Sequence, residues 1–116
     1  MNDFYAKKYN AVAGVWGRDA LINDPLSGTI STRFRTGMDS SGNALVVWVQ
    51  AYNSSLHIWA NRYNIATGVW GQPGVIEELE GFADWPDLAI NAGGNAIAVW
   101  LQFVFGDVNI WSGRYE

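Results

Sequence analysis

The sequence predicts an all-β chain built from antiparallel four-stranded meanders. One observation is an internal repeat: Ser40-Ser-Gly-Asn-Ala-Leu-Val-Val-Trp-Val-Gln50 matches Ala92-Gly-Gly-Asn-Ala-Ile-Ala-Val-Trp-Leu-Gln102 at six of eleven positions, 52 residues apart. At the same offset Ile58-Trp-Ala-Asn-Arg-Tyr63 matches Ile110-Trp-Ser-Gly-Arg-Tyr115. A third block, Lys8-Tyr-Asn-Ala-Val-Ala-Gly-Val-Trp-Gly17, matches Arg62-Tyr-Asn-Ile-Ala-Thr-Gly-Val-Trp-Gly71 at an offset of 54, so the unit is 52 to 54 residues long. The second observation is β-branched alternation with turn residues at regular intervals, which is strand patterning. The third is composition: 49% hydrophobic, 16% charged, seven Trp and 13 Gly in 116 residues, enough apolar material for a core and many turns.

In chain order, Phe4 to Tyr9 reads as a segment of the third-strand type and Val15 to Ile22 as a fourth strand. Each fourth strand is introduced by an Asn-x-x-x-Gly turn, Asn10 to Gly14 and Asn64 to Gly68. Strand one is Thr32 to Met38, joined to strand two, Ala44 to Gln50, by Asp39-Ser-Ser-Gly-Asn43, where Gly and Asn tolerate positive φ. Leu56 to Tyr63 is strand three and Val69 to Ile76 strand four, with Pro73 marking an edge. The second unit repeats strand one at Asp84 to Ile90, then Asn91-Ala-Gly-Gly-Asn95, strand two, and a third strand at Val108 to Tyr115. The chain is thus one repeat domain, with N-terminal strands in 1–23, unit one in about 24–76 and unit two in about 77–116.

Both faces of Ala44 to Gln50 are apolar, which suits a sheet stacked between two others rather than one with a wet side. Stacked four-stranded meanders are the architecture of a β-propeller. The Gly-Asn-Ala-x-x-Val-Trp-x-Gln block, followed by Ile-Trp-x-x-Arg-Tyr and Gly-Val-Trp-Gly, resembles the Trp-rich repeats of bacterial β-propeller proteins, over nearly the whole chain. The resemblance implies blades and no particular activity. Two blades cannot close a ring, and unit two ends without a fourth strand, so homo-oligomerisation is expected, three chains giving six blades and four giving eight. One third-strand segment, Phe4 to Tyr9 or Val108 to Tyr115, is then surplus. Arg33 and Arg35 align with Trp85 and Asp87, so neighbouring units place basic against acidic residues on their first strands.

A net charge of -4 argues against nucleic acid, which is bound through clustered Lys and Arg. Residues 1–58 carry five basic and four acidic side chains, and residues 59–116 two and seven. Apolar runs of six residues are far short of the roughly 20 that span a bilayer as a helix, so a soluble protein is expected, with no membrane partner. No secretory signal is visible, which leaves the compartment open. With no Cys and one His, His57, thiolate chemistry is excluded and a His metal cluster cannot form within one chain. His57 reads as a strand residue with a satisfied hydrogen bond, and Glu77, Glu78, Glu80, Asp84 and Asp87 as a solvated loop with no ordered ligand spacing. No catalytic residue, cofactor or metal is predicted.

Trp16, Trp48, Trp59, Trp70, Trp100 and Trp111 occupy equivalent places and read as packing residues. Trp85 breaks the repeat, beside Phe82 and Asp84 at the entry to strand one. Loops 51–55 and 103–107 are expected on the same rim, adding Tyr52, Asn53, Phe103, Phe105 and Asp107, with Gln50 and Gln102 at its edge or satisfying backbone groups. Aromatic rings beside carboxylates and amides suit sugars, stacking on an apolar sugar face while polar groups take hydroxyls. The expected function is a non-enzymatic module binding carbohydrate or a small polar ligand; the alternatives are protein–protein interaction or a glycoside hydrolase using acidic residues.

Overall fold

In the computed structural model of the chain, residues 3–77, 81–104 and 106–115 are described, residues 31 and 32 by backbone alone. Among them the regular structure is all antiparallel strand, and no helix is long and apolar enough to cross a membrane.

The N-terminal hairpin has an outgoing arm of β1 (Tyr5–Ala6) and β2 (Tyr9–Asn10) and a return arm of β3 (Val15–Trp16) and β4 (Ala20–Leu21). β2 pairs with β3 and β1 with β4. Its turn closes because Asn10 Oδ1 accepts from the Val12 and Ala13 amides, both at 3.0 Å, an Asx-type bridge that offers the backbone a turn instead of a straight strand.

A meander follows: β5 (Ile30–Met38), β6 (Ala44–Tyr52) and β7 (Ser55–Asn64), then β8 (Val69–Trp70) and β9 (Gly74–Val75), which share the far edge of β7. The expected fourth strands are therefore each split rather than continuous. The Gly17 amide donates to the Lys8 carbonyl at 2.7 Å and Gly71 to Arg62 at 2.9 Å, and the ladder resumes three residues on. Pro73, with no N–H to give, lies in the second gap. In the β5–β6 turn, Asp39 Oδ1 accepts from the Ser41 and Asn43 amides and Oδ2 from Asn43 Nδ2, all at 2.9 Å. The Asn43 side-chain bond, with the backbone donors behind it, holds the Asp39 carboxyl below its usual range.

The last sheet is β10 (Phe82–Ile90), β11 (Ala96–Val104) and β12 (Asp107–Tyr115), in that order. Positions 52 apart hold the same register: Trp48 opposes Trp59 as Trp100 opposes Trp111. Both third-strand segments pair within the chain, Tyr5 and Tyr9 with the return arm and β12 with β11, so neither hangs free.

The middle sheet is packed on both faces, though Phe34 and Met38 of its Trp face stay exposed. Val46, Trp48 and Trp59 form its Trp face, which packs on Phe4, Ala6 and Ile22 of the hairpin. Val47, Val49 and Ile58 form the opposite, valine face, which packs on Ala83, Ala98 and Trp100 of the last sheet. Val47, Val49, Trp48 and Ile58 are at most 1% exposed, each aliphatic one contributing about 1.5–3 kcal/mol by burial. Gly37 is needed where the sheets approach: a Cβ there would lie 2.5 Å from Ile90 Cγ2.

The six equivalent Trp residues do not share one fate. Trp48, Trp59 and Trp100 are buried, but Trp16 is 63% and Trp111 43% exposed. Trp16 is absent from the cluster the hairpin makes with the middle sheet, and β12 is an edge strand of the last sheet among the described residues.

Candidate functional site

Trp85 is set by a bulge in β10. The pairing with β11 shifts between Asp84 and Asp87, leaving Trp85 and buried Pro86 outside the ladder. Pro86 disfavours the right-handed helical region for the residue before it, and Asp84 Oδ1 accepts from the Trp85 amide at 2.8 Å. Trp85 adopts φ of 55°, rare for a bulky residue and costing on the order of 1–3 kcal/mol. Its ring stays 57% exposed. β5 shifts register at the corresponding place, between Ile30 and Phe34, and presents Arg33.

The Arg33 guanidinium carbon sits 4.0 Å from the Trp85 ring centroid, a cation–π contact, and Nη1 lies 3.6 Å from Asp84 Oδ2. Arg35 Nε is 3.7 Å from Asp87 Oδ1, so the expected basic-against-acidic apposition is present; both side chains are more than half exposed, and such a pair contributes only about 0–1 kcal/mol. Residues 52 apart thus meet across two stacked first strands: Arg33 with Trp85, Arg35 with Asp87.

The other expected site residues are divided. Phe82 and Phe103 are cross-strand partners, both exposed, at the end of the last sheet's outer face. Tyr52 ends β6 rather than lying in a loop, its ring edge-on to Trp59 at 6.0 Å and to His57 at 5.8 Å. Asn53 forms the following turn with φ of 50°, and Asp107 opens β12. The turn is tied to the start of the last sheet by Ser55 Oγ, which donates to the Gly81 carbonyl at 2.7 Å. Phe105, Glu78 and Glu80 lie outside the described residues. The five main depressions formed by the described residues lie elsewhere and gather none of these groups.

Gln50 and Gln102 do not line a rim. Both are fully buried, and each accepts from the indole N–H two residues before it, Trp48 at 2.9 Å and Trp100 at 3.0 Å. Gln50 Nε2 donates to the carbonyls of Asp24 at 2.8 Å and Gly28 at 3.1 Å, fastening the connection that leads into β5. The Trp-x-Gln spacing carries this signal, since i and i+2 share a face of a strand.

Glu77 is also not a solvated loop residue. Its side chain is almost wholly buried, with Oε1 2.5 Å from His57 Nδ1 and accepting from the Ile58 amide at 3.3 Å. Among the described residues Oε2 is buried without a hydrogen-bond partner, and burial raises the carboxyl above its ordinary range, more than the His57 contact lowers it. His57 Nε2 lies 3.1 Å from the Tyr52 carbonyl, so the imidazole is satisfied at both nitrogens. The same clip recurs 54 residues earlier, where Asn23 Oδ1 accepts from the Phe4 amide at 2.7 Å and Nδ2 donates to Asp3 at 3.1 Å. Glu77 and His57 are fasteners of a split strand. Among the described residues no three His, Asp or Glu side chains gather as a metal site.

Comparison of the chain with family models, curated proteins and solved structures finds no match.

Proposed function

We propose that the chain is a non-enzymatic binding module that recognises carbohydrate, or another small polar ligand with an apolar face, at the Trp85 platform. We read its stacked sheets as blades of a β-propeller-like ring completed by further copies of the chain. The observation that carries the ligand reading is an exposed indole held at a costly backbone conformation, with Arg33 on its ring and Asp84 fixing both the amide and the guanidinium. An aromatic ring fixed in advance loses little side-chain entropy when a sugar stacks on it, and the neighbouring carboxylate accepts from hydroxyls. Copies in a ring would raise avidity for a repeated glycan without new contacts.

A glycan array with the wild-type chain and Trp85→Ala tests this. Binding to a defined set of glycans that is lost in Trp85→Ala while the thermal midpoint is retained supports the reading. No glycan bound at high protein concentration, or binding unchanged by Trp85→Ala, removes it.

A further inference from the structure

We infer that the groove beside β1, lined by Phe34, Met38, Ala44 and Val46 with Phe4 as one wall, receives the outer face of the last sheet of a second copy, head to tail. The inference rests on the stacking order proposed above and is independent of any ligand.

The groove holds about 350 Å³ and its walls are mostly apolar. It exists because the N-terminal hairpin lies over only part of the middle sheet's Trp face. The hairpin shields the Trp59 end, and Phe34 and Met38, on β5, are left 47% and 63% exposed. At the other end of the chain, Ile97 and Val99 of β11 and Ile110 of β12 are 50%, 36% and 75% exposed on one face. They stand 52 positions after Leu45, Val47 and Ile58, which are all buried.

The molecule itself shows what such a face packs against. The valine face of the middle sheet lies on the Trp face of the last sheet, with Gly37 against Ile90 and Val47 in one cluster with Ala98. The residue equivalent to Ile90 is Met38, and the residue equivalent to Ala98 is Val46. The exposed Ile97 and Val99 face therefore meets, in the groove of a second copy, the counterpart of the surface that already covers Leu45 and Val47. The two patches differ from each other, so the contact is heterologous, and repetition yields a ring if the rotation closes.

Light scattering after size exclusion tests the inference, using Ile97→Glu for the outer face, Ile110→Glu as a second variant of it, and Met38→Glu for the groove. All three positions are exposed in the single chain, and circular dichroism checks that each variant folds. The wild-type chain is expected at a mass that is a multiple of 12.8 kDa, and each variant alone at 12.8 kDa. Ile97→Glu mixed with Met38→Glu is expected to form a one-to-one dimer, because each retains the patch the other lacks, and the dissociation constant of the blocked contact rises roughly a hundredfold. A monomeric wild-type chain, variants that stay oligomeric, or a mixture that remains monomeric would each overturn it. Failure of glycan binding leaves these masses unchanged, so the two readings fail separately.

Discussion

Gln50→Leu is the most informative single perturbation of the interior. Leucine matches the volume closely and removes three hydrogen bonds: from the Trp48 indole, and to the carbonyls of Asp24 and Gly28. Asp24 O keeps a donor in the Ser27 amide at 3.3 Å, so the loss concentrates on the fully buried indole N–H and the half-buried Gly28 carbonyl. A buried polar group left without a partner costs about 1–3 kcal/mol, so the variant should lose about 2–4 kcal/mol, a large part of the stability of a domain this size. Gln50→Glu separates acceptor from donor. It keeps an acceptor for Trp48 but turns a carboxylate toward two carbonyl oxygens, which raises its folded pKa. Its deficit against wild type should be smallest below the unfolded pKa, where the acid is protonated in both states, and grow as pH rises through the folded value. Urea unfolding followed by tryptophan emission from pH 4 to 8 measures both. A Gln50→Leu variant within about 0.5 kcal/mol of wild type, or a Gln50→Glu deficit that does not change with pH, would refute the assignment of Gln50 as the hydrogen-bonded keystone of this layer.

Other expectations are equally direct. Burial raises the Glu77 carboxyl above 4.5, so its contribution to stability is fully present below that pH and is lost as pH rises through the folded value; Glu77→Gln should flatten the decline that wild type shows over that window in pH-dependent unfolding. Trp85→Gly should relieve φ strain and remove the cation–π contact, leaving stability within about 1 kcal/mol of wild type in urea titration while abolishing glycan binding. Gly81→Ala should be severe, beyond about 2 kcal/mol by thermal unfolding, because φ is 101° and a Cβ there would run into the Phe103 carbonyl oxygen.

Much of the architecture was legible because strand signals are local. The alternation in Ala44 to Gln50 and the Asp39 and Asn91 turns specify hairpins whose pairing spans few residues, and all-apolar faces on one strand require cover on both sides. What escaped depends on contacts between layers. Glu77 follows a proline-containing edge in an acidic run and looks solvated; only the fold brings it under His57, although its alignment with Asn23 at the offset of 54 was available as a hint. Trp111 carries the same local sequence as buried Trp59 and Trp16 the same as half-buried Trp70, and each is more exposed than its equivalent because its surroundings differ. The Arg33 and Trp85 contact was half visible: the alignment paired them, but that equivalent residues of stacked first strands touch is a property of the stack. Tyr52, Phe82 and Trp85 flank the same connections, yet Tyr52 ends a strand of the middle sheet while Phe82 and Trp85 belong to the last sheet, Phe82 paired with Phe103 at its end and Trp85 lifted out of the ladder by the bulge.

The middle and last sheets each turn toward the layer before them a Trp whose indole is held by a Gln two residues on, and the middle sheet offers the last a ridge of branched side chains. Such a scheme lets a gene lengthen by whole duplicated modules, since every inserted module arrives with both halves of a junction its neighbours already accept.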